Sequence, residues 1–208
     1  MAYVLGFFSA DGSMYKTKRG THFIEFQITD KDLLKTIRSV IGSSHKISVR
    51  NRKGKNWRDT FRLQVGSKTI FDDLIRLGLT QVKSKTLKMP TIPDRYFSDF
   101  VRGYFDGDGN VTVGNYLRKE TNKKRNLIFS GFICGNQDFL KEIHNKLKKL
   151  SGVRGGTLYY HDGAYRLYFS INDSFALYNF MYVRVCNKLF LPRKRKKFES
   201  YFGVARIK

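Results

Sequence analysis

Two aspartates, each followed by a glycine, end matching segments of this 208-residue sequence. Residues 4–12 read VLGFFSADG and residues 101–109 read VRGYFDGDG, so both follow the pattern x-x-Gly-aromatic-aromatic-x-small-Asp-Gly. An apolar run stopped by glycine predicts a two-turn helix, which ends at Asp11 in one segment and at Asp108 in the other. Because the carboxyl end of a helix carries negative partial charge, an aspartate there costs about 0.3–1 kcal/mol. The same cost in both segments indicates a compensating cation.

The chemistry that this pattern favours is the binding of a divalent metal. If the two helices pack side by side at Gly6 and Gly103, their carboxylates and terminal carbonyls supply the oxygen ligands that Mg²⁺ prefers. Such an ion beside a phosphodiester would activate water and neutralise the leaving oxygen. The alternative is that both Asp-Gly pairs are simple turns that end a helix. The predicted ligands of Mg²⁺ or Mn²⁺ are Ala10, Asp11, Gly107 and Asp108.

The two segments belong to an internal repeat with further matching anchors in the same order. Residues 26–34, FQITDKDLL, correspond to residues 132–140, FICGNQDFL. Residues 61–65, FRLQV, correspond to residues 165–169, YRLYF. The second copy holds about nine extra residues in the polar stretch 115–126. Three ordered anchors indicate that the chain consists of two related halves.

Periodicity predicts the elements that must position the aspartates. Residues 21–29 alternate between apolar and polar side chains, as a half-buried strand does, and residues 46–65 predict a β-hairpin with a basic outer face. Residues 31–41 and 68–77 carry Leu and Ile at helical spacing, and each run is followed by a glycine. Each copy therefore reads helix, two strands, helix, two strands, helix.

These elements predict an α+β fold made of two half-domains. The halves are assigned to residues 1–92 and 93–208. In each, an antiparallel sheet carries helices on one face and a polar, basic surface on the other.

The composition indicates a polyanionic partner. The chain has 40 Lys and Arg against 17 Asp and Glu, a formal charge of +23, and its 41% hydrophobic content is enough to build a core. The spacing of Cys134 and Cys186 excludes a zinc site and favours a reducing, intracellular compartment. The sequence argues against a membrane partner, since it has no run of about 18 apolar residues and no basic amphipathic helix.

The pair of G-x-x-x-x-D-G segments resembles the LAGLIDADG motif, and nearly the whole chain is similar to a single-chain, two-motif LAGLIDADG homing endonuclease. The resemblance implies a pseudo-two-fold pair of αββαββα half-domains whose antiparallel sheets form a DNA-binding saddle. It also implies a monomer that cleaves both DNA strands with Mg²⁺ and binds the metal through Asp11 and Asp108.

Four more active-site positions follow from the resemblance. A basic residue near the cleavage centre corresponds to Lys83 in the first half, and to Lys194, with Lys188 as the fallback, in the second. The polar residue that the family has after its second strand corresponds to Asp30 and Asn136, which would order water. For both lysines, a solvated or phosphate-contacting charge is the alternative.

Alternation along the strands predicts the surface that reads DNA. Arg and Gln at alternate strand positions suit base edges in the major groove. Because the copies differ at most of these positions, the target is expected to be asymmetric. The predicted DNA-contacting residues are Tyr15, Thr17, Arg19, Glu25, Gln27, Lys46, Ser48, Arg50, Arg52, Arg62 and Gln64 in the first copy, and Thr112, Tyr116, Arg118, Arg166 and Tyr168 in the second.

The predicted function is that of a site-specific, metal-dependent double-strand DNA endonuclease. Two alternatives use the same scaffold: a splicing maturase that binds intron RNA, and a DNA-binding regulator without catalysis. The two aspartates favour the nuclease over the regulator, because a protein that only binds DNA has no need of carboxylates beside phosphates.

Binding to duplex DNA should weaken steeply with salt. Each phosphate that the protein neutralises releases counterions, so the logarithm of the binding constant falls with the logarithm of salt concentration at about −0.9 per contact. Titrations between roughly 50 and 200 mM salt measure this slope. A flat dependence would contradict a basic DNA-binding surface.

Overall fold

A computed structural model describes residues 1–50, 59–81, 86–118, 122–185 and 188–203, except the side chain of Arg118. The predicted site residues Arg52 and Lys83 lie outside these residues. The chain divides into two compact units, which are described separately. Unit 1 comprises Met1–Gly107 and Cys186–Leu191, and unit 2 comprises Asp108–Val185 and Pro192–Lys208.

Unit 1 contains a four-stranded antiparallel sheet in the order β1-β2-β4-β3. The buried face of β2 presents Ile24, Phe26 and Ile28, as the predicted alternation requires. The elements in chain order are α1 (Ala2–Asp11), β1 (Gly12–Lys16), β2 (His22–Ile28), α2 (Lys31–Val40), β3 (Ile47–Arg50), β4 (Thr60–Gly66), α3 (Lys68–Arg76) and α4 (Asp94–Asp108), of which α4 belongs to unit 1 as far as Gly107.

Local sequence sets the limits of α2 and α3. Ser67 is the N-cap of α3, where its hydroxyl accepts a hydrogen bond from the amide of Ile70 at 3.3 Å. Gly42 and Gly78 follow the two helices with φ of 64° and 86°, a conformation that glycine adopts without strain. Both predicted helices are therefore confirmed to within one residue at each end.

The centre of unit 1 is a direct backbone contact between α1 and α4. A Cβ atom on Gly6 would lie 2.9 Å from the amide nitrogen of Tyr104 and would overlap the carbonyl oxygen of Phe100. A Cβ atom on Gly103 would lie 2.8 Å from the amide nitrogen of Phe7 and would overlap the carbonyl oxygen of Tyr3. No side chain fits at either position, and the predicted close pairing at the two glycines is confirmed.

Helices α1 and α4 differ from the prediction in length. They have 10 and 15 residues, so they are longer than two turns. Gly12 follows α1 with an extended backbone, at φ of −75°. Glycine is needed there because a Cβ atom would lie 2.7 Å from Cε2 of the Phe8 ring.

Unit 2 repeats the sheet of unit 1, with the strand order β5-β6-β8-β7 and antiparallel pairing throughout. Val111, Ile128, Phe132, Leu167 and Phe169 line its buried face. The same strand order in both units confirms the internal repeat and the α+β class. The elements are β5 (Gly109–Arg118), β6 (Lys123–Cys134), α5 (Gln137–Leu150), β7 (Thr157–His161), β8 (Ala164–Phe169), α6 (Ile171–Tyr182) and α7 (Pro192–Phe202).

The extra residues of the second copy lengthen a β-ribbon. Strand β5 has 10 residues where β1 has 5, and β6 has 12 where β2 has 7. The register continues as far as the pair of Arg118 with Lys123. The described part of the insertion therefore extends the two strands.

Helix α7 was not predicted from the sequence. Phe198 lies 5.7 Å from Tyr178 and 6.2 Å from Tyr182 between ring centroids, so α7 packs on α6. Lys197 also donates to the carbonyl of Val111 at 3.1 Å. Since β5 is an edge strand, α7 covers carbonyl groups that would otherwise be open for pairing.

The two compact units do not coincide with the predicted half-domains 1–92 and 93–208. Most of α4 lies in unit 1 because its backbone packs on α1, although its sequence begins the second copy. The half-domain boundary stays a prediction about the repeat. Among the described residues, none of the helices combines the length and apolar character that a membrane crossing requires.

Adding a methyl group at either crossing glycine should destabilise the protein. We expect Gly6→Ala and Gly103→Ala each to cost about 1–3 kcal/mol or more, because two backbones must move apart. Thermal unfolding followed by circular dichroism measures the effect.

Gly66→Ala is the matched control, because its Cβ would lie in ordinary contact, 3.4 Å from Cε1 of Phe23. Unchanged melting of both crossing variants would show that α1 and α4 do not meet as described.

Candidate functional site

Three of the four predicted metal ligands lie together in unit 1. Asp11 is the exposed last residue of α1. Gly107 lies against this helix end, since a Cβ atom there would be 3.4 Å from Oδ2 of Asp11 and would overlap the Cβ of Ala10. Asp108 is the next residue along the chain, the last of α4, and is half-buried. The glycine crossing therefore brings the ends of the two motif helices together at Ala10 and Gly107.

The charge at these helix ends suits a cation bound through oxygen. Neither α1 nor α4 has a basic residue in its last turn to offset the negative helix end. Across the described ranges, no cluster of three or more His, Cys, Asp or Glu side chains could hold a metal unaided. Mg²⁺ and Mn²⁺ fit this donor set, because they accept carboxylate and carbonyl oxygens together with water and phosphate.

A buried polar network lies in α4 directly before the predicted ligands. Asp106 is 1% exposed and accepts hydrogen bonds from the hydroxyl of Tyr3 at 2.7 Å and the amide of Leu191 at 2.8 Å. Arg102 is 2% exposed, and its Nε donates to the carbonyl of Leu189 at 2.9 Å. The guanidinium also pairs with Asp99 at 2.5 Å. These hydrogen bonds join Leu189 and Leu191 to α4.

Sequence reasoning missed this network, although the repeat carries a signal for it. Arg102 and Asp106 stand where the first motif has Leu5 and Ser9. A charged residue at an apolar position of a matching helix indicates a local buried partner. The partner itself could not be found from the sequence, because Leu191 lies 85 residues beyond Asp106.

Asp30 and Asn136 are helix N-caps in the structure. The Asp30 carboxylate accepts from the amide of Leu33 at 3.0 Å. The Asn136 side chain accepts from the amides of Asp138 at 2.8 Å and Phe139 at 3.4 Å. These contacts account for the Asp that follows β2 and the Asn that follows β6. The water-ordering role predicted for the two residues stays a prediction beside this structural one.

Lys194 lies beside the predicted ligand Asp108. Its ammonium group donates to the carbonyl of Gly109, the residue after Asp108, at 2.7 Å. The side chain is 7% exposed, whereas the fallback residue Lys188 is exposed. Of the two candidates, the structure brings Lys194 next to Asp108 and holds it there.

The outer face of the unit 1 sheet has the predicted composition. Register pairs Glu25 with Gln64, Gln27 with Arg62, and Ser48 with Arg62. Thr17 and Arg19 depart from the prediction, because β1 ends at Lys16 and both residues lie in the turn before β2. Lys46 is exposed and precedes β3. The predicted residues that share the outer face are Tyr15, Glu25, Gln27, Ser48, Arg50, Arg62 and Gln64.

Four of these side chains contact one another. Nη2 of Arg62 pairs with Glu25 at 2.5 Å and donates to the Tyr15 hydroxyl at 3.4 Å. The amide of Gln64 donates to the same hydroxyl. The hydrogen bond from Arg62 to Glu25 raises the pKa of the guanidinium further above its ordinary value. Arg62 is therefore a fixed, permanent cation on this face.

The outer face of the unit 2 sheet is richer in aromatic groups. Tyr116 packs edge-on against Phe129 with ring centroids 5.4 Å apart, and Tyr159 lies 6.2 Å from Tyr168. Register places Thr112 opposite Phe129, and Arg166 opposite Tyr159. Arg118 is the last residue of β5.

Phe129 and Tyr159 also lie on this face but were not among the predicted residues. Alternation along β6 and β7 was the available signal. For β6 it was obscured because the inserted residues hid where the strand begins.

Comparisons with known proteins agree with this fold. Residues 1–76 match the family described as LAGLIDADG-like domain, which confirms the resemblance over these residues. The "Uncharacterized protein MJ0398" of Methanocaldococcus jannaschii is 28% identical over 206 residues, which are 96% of this chain and 70% of that protein.

Solved structures share the fold at low sequence identity. The homing endonuclease I-WcaI bound to its DNA recognition sequence has a TM-score of 0.60 and 16% identity over 95% of this chain and 84% of that one. The meganuclease I-SmaMI bound to uncleavable DNA has a TM-score of 0.65 and 12% identity, with coverages of 98% and 87%. I-DmoI in complex with DNA and Mn has a TM-score of 0.57 and 20% identity, with coverages of 86% and 94%. These likenesses confirm the α+β fold class.

Replacing Lys194 by methionine tests whether its contact is structural. Methionine keeps much of the length but leaves the Gly109 carbonyl without this donor, so we expect Lys194→Met to cost about 1–3 kcal/mol of stability. Lys196→Met is the control, because Lys196 is exposed on the same helix. Equal melting temperatures for both variants would mean that Lys194 contributes nothing to stability.

Proposed function

We propose that this chain, which carries a LAGLIDADG-like domain over residues 1–76, is a homing endonuclease that cleaves both strands of duplex DNA at a long asymmetric site. The observation that carries the proposal is the meeting of the two motif helices, where Gly107 packs against Ala10 and Asp11. A protein that only bound DNA would have no use for an exposed carboxylate at such a helix end. The formal charge of +23 supplies the attraction to the phosphate backbone.

The proposal includes a divalent metal, Mg²⁺ or Mn²⁺. Asp11 and Asp108 would hold it with their carboxylates, and the carbonyls of Ala10 and Gly107 are further candidate ligands. When bound, such an ion activates water and neutralises charge on a leaving oxygen. The relative I-DmoI, crystallised with DNA and Mn, supports the choice of ion.

Side chains of this protein would do the remaining work. Lys194, fixed on the Gly109 carbonyl, places a positive charge beside Asp108 and can stabilise negative charge on the phosphate. Lys83 is proposed for the same role in the first half. The backbone contact of α1 with α4 holds the end of α1 in place, and misplacement of a reacting group by about 1 Å can cost on the order of 10²-fold in rate.

Recognition is assigned to the outer faces of the two sheets. The face in unit 1 offers hydrogen-bonding groups such as Arg62, Gln27 and Gln64, whereas the face in unit 2 offers Tyr116, Phe129 and Tyr168. Different chemistry on the two faces supports an asymmetric target bound by a monomer. An intracellular, reducing location is part of the same proposal.

A second candidate function is the binding of intron RNA, as in a splicing maturase. The aromatic face of unit 2 favours it, because exposed rings stack on the unpaired bases of single-stranded RNA. Tyr116 and Tyr159 are 41% and 42% exposed and lie on that face. Preferential capture of a structured intron RNA over duplex DNA at equal salt would favour this function.

Removing either motif carboxylate should abolish cleavage and spare binding. We expect Asp11→Asn and Asp108→Asn to lower the cleavage rate by more than about 100-fold, because the charge that holds the metal is lost beside the phosphate. Duplex affinity should stay equal or rise, since less negative charge faces the DNA. The measurement is cleavage and binding of a duplex selected from a randomised library, with Mg²⁺ present.

Asp32→Asn is the control, because this exposed carboxylate lies in the first turn of α2. Full cleavage by both motif variants would refute the assignment of Asp11 and Asp108. Selection of no duplex by the unaltered protein would refute the proposed function itself.

A further inference from the structure

An acidic side chain lies in the middle of the basic outer face of unit 1. Glu25 occupies the central part of β2, and its side chain is 12% exposed. A carboxylate at this place repels the phosphates of any DNA that the face contacts. Its presence therefore needs a reason other than affinity for DNA.

The contacts of Glu25 supply that reason. Its Oε2 lies 2.5 Å from Nη2 of Arg62 on the neighbouring strand β4. Because the pair is screened from water, with Arg62 only 23% exposed, it holds the guanidinium more firmly than a surface pair would. The Tyr15 hydroxyl supports the arrangement from β1, since both Arg62 and Gln64 donate to it.

The arrangement leaves a defined part of Arg62 available. Nη2 is engaged by Glu25 and Tyr15, and Nε is buried without a hydrogen-bond partner in the described part of the chain. Nη1 has no bond to any described residue, so its N–H groups are the donors that remain for a molecule outside the chain. A planar guanidinium held in one orientation loses little entropy when it binds.

We propose that Glu25 is a positioning residue that aims Arg62 at a single guanine of the target. This inference rests on the proposed function. Guanine offers the acceptors O6 and N7 in the major groove, and arginine is their usual partner. Released from Glu25, the long Arg62 side chain would reach phosphates as well as bases. Glu25 thus raises sequence preference and lowers general affinity.

The test compares base preferences selected from a randomised duplex library. The unaltered protein should prefer guanine on the order of tenfold or more at one position of its site. Arg62→Lys should remove the preference at that position. Glu25→Gln should reduce it at the same position to roughly twofold, and should bind unrelated duplex equally well or a few-fold more tightly.

Asp73→Asn is the matched control for the charge change in Glu25→Gln. Asp73 also pairs with an arginine, Arg76 at 3.0 Å, but lies on helix α3 away from the sheet face. The control should keep the full guanine preference. If it loses the preference as Glu25→Gln does, the effect is one of net charge and the inference fails.

Two further outcomes would overturn the inference while the proposed function stands. In the first, Glu25→Gln changes preference at a different base pair from Arg62→Lys, which would make Glu25 a direct reader of cytosine. In the second, Glu25→Gln leaves every base preference intact. If the unaltered protein selects no duplex sequence, the proposed function fails first.

A second variant guards against misfolding of Glu25→Gln. Tyr15→Phe removes the hydroxyl that supports Arg62 but keeps the ring packed on Phe23, 5.5 Å away between centroids. It should weaken the same guanine preference by a smaller factor, with an unchanged melting temperature. An unchanged preference in a folded Tyr15→Phe variant, together with an unfolded Glu25→Gln variant, would count against the inference.

Discussion

Close contact between two helix backbones is the constraint on which unit 1 depends. Gly6 and Gly103 leave no room for a side chain, so α1 and α4 meet along their main chains. Six of the ten residues of α1 are buried, among them Phe7 and Phe8 at 0% and 1% exposure. The contact also sets Gly107 against Ala10 and Asp11. The same two glycines therefore determine both how α1 packs on α4 and where the predicted metal ligands lie.

Charge is distributed according to what each part of the molecule must do. Carboxylates are retained where they hold something: Asp106 fixes the segment before α7, Glu25 fixes Arg62, and Asp30 caps α2. The overall charge of +23 is otherwise free to attract a polyanion. At these three positions the geometry of the fold matters more than affinity for a polyanion.

Much of this could be predicted from the sequence, because repeats and periodicity are local signals. The crossing at Gly6 and Gly103 followed from two matching motifs, and the faces of β2 and β4 followed from alternation. Thr17 and Arg19 were misplaced because alternation does not show where a strand ends. The partners of Arg102 and Asp106 could not be predicted, since they are backbone groups of a segment far along the chain. Helix α7 was hidden by its basic run, although Phe198 and Phe202 already have helical spacing.

The order in which the chain is synthesised has a consequence for unit 1. Asp106 and Arg102 are buried, yet their backbone partners Leu191 and Leu189 emerge from the ribosome only after 85 and 87 further residues. At about 5–20 residues per second, two charged groups must wait on the order of ten seconds for their hydrogen bonds. During that interval the core around α4 lacks these two hydrogen bonds, so unit 1 completes its folding only after most of unit 2 has been made.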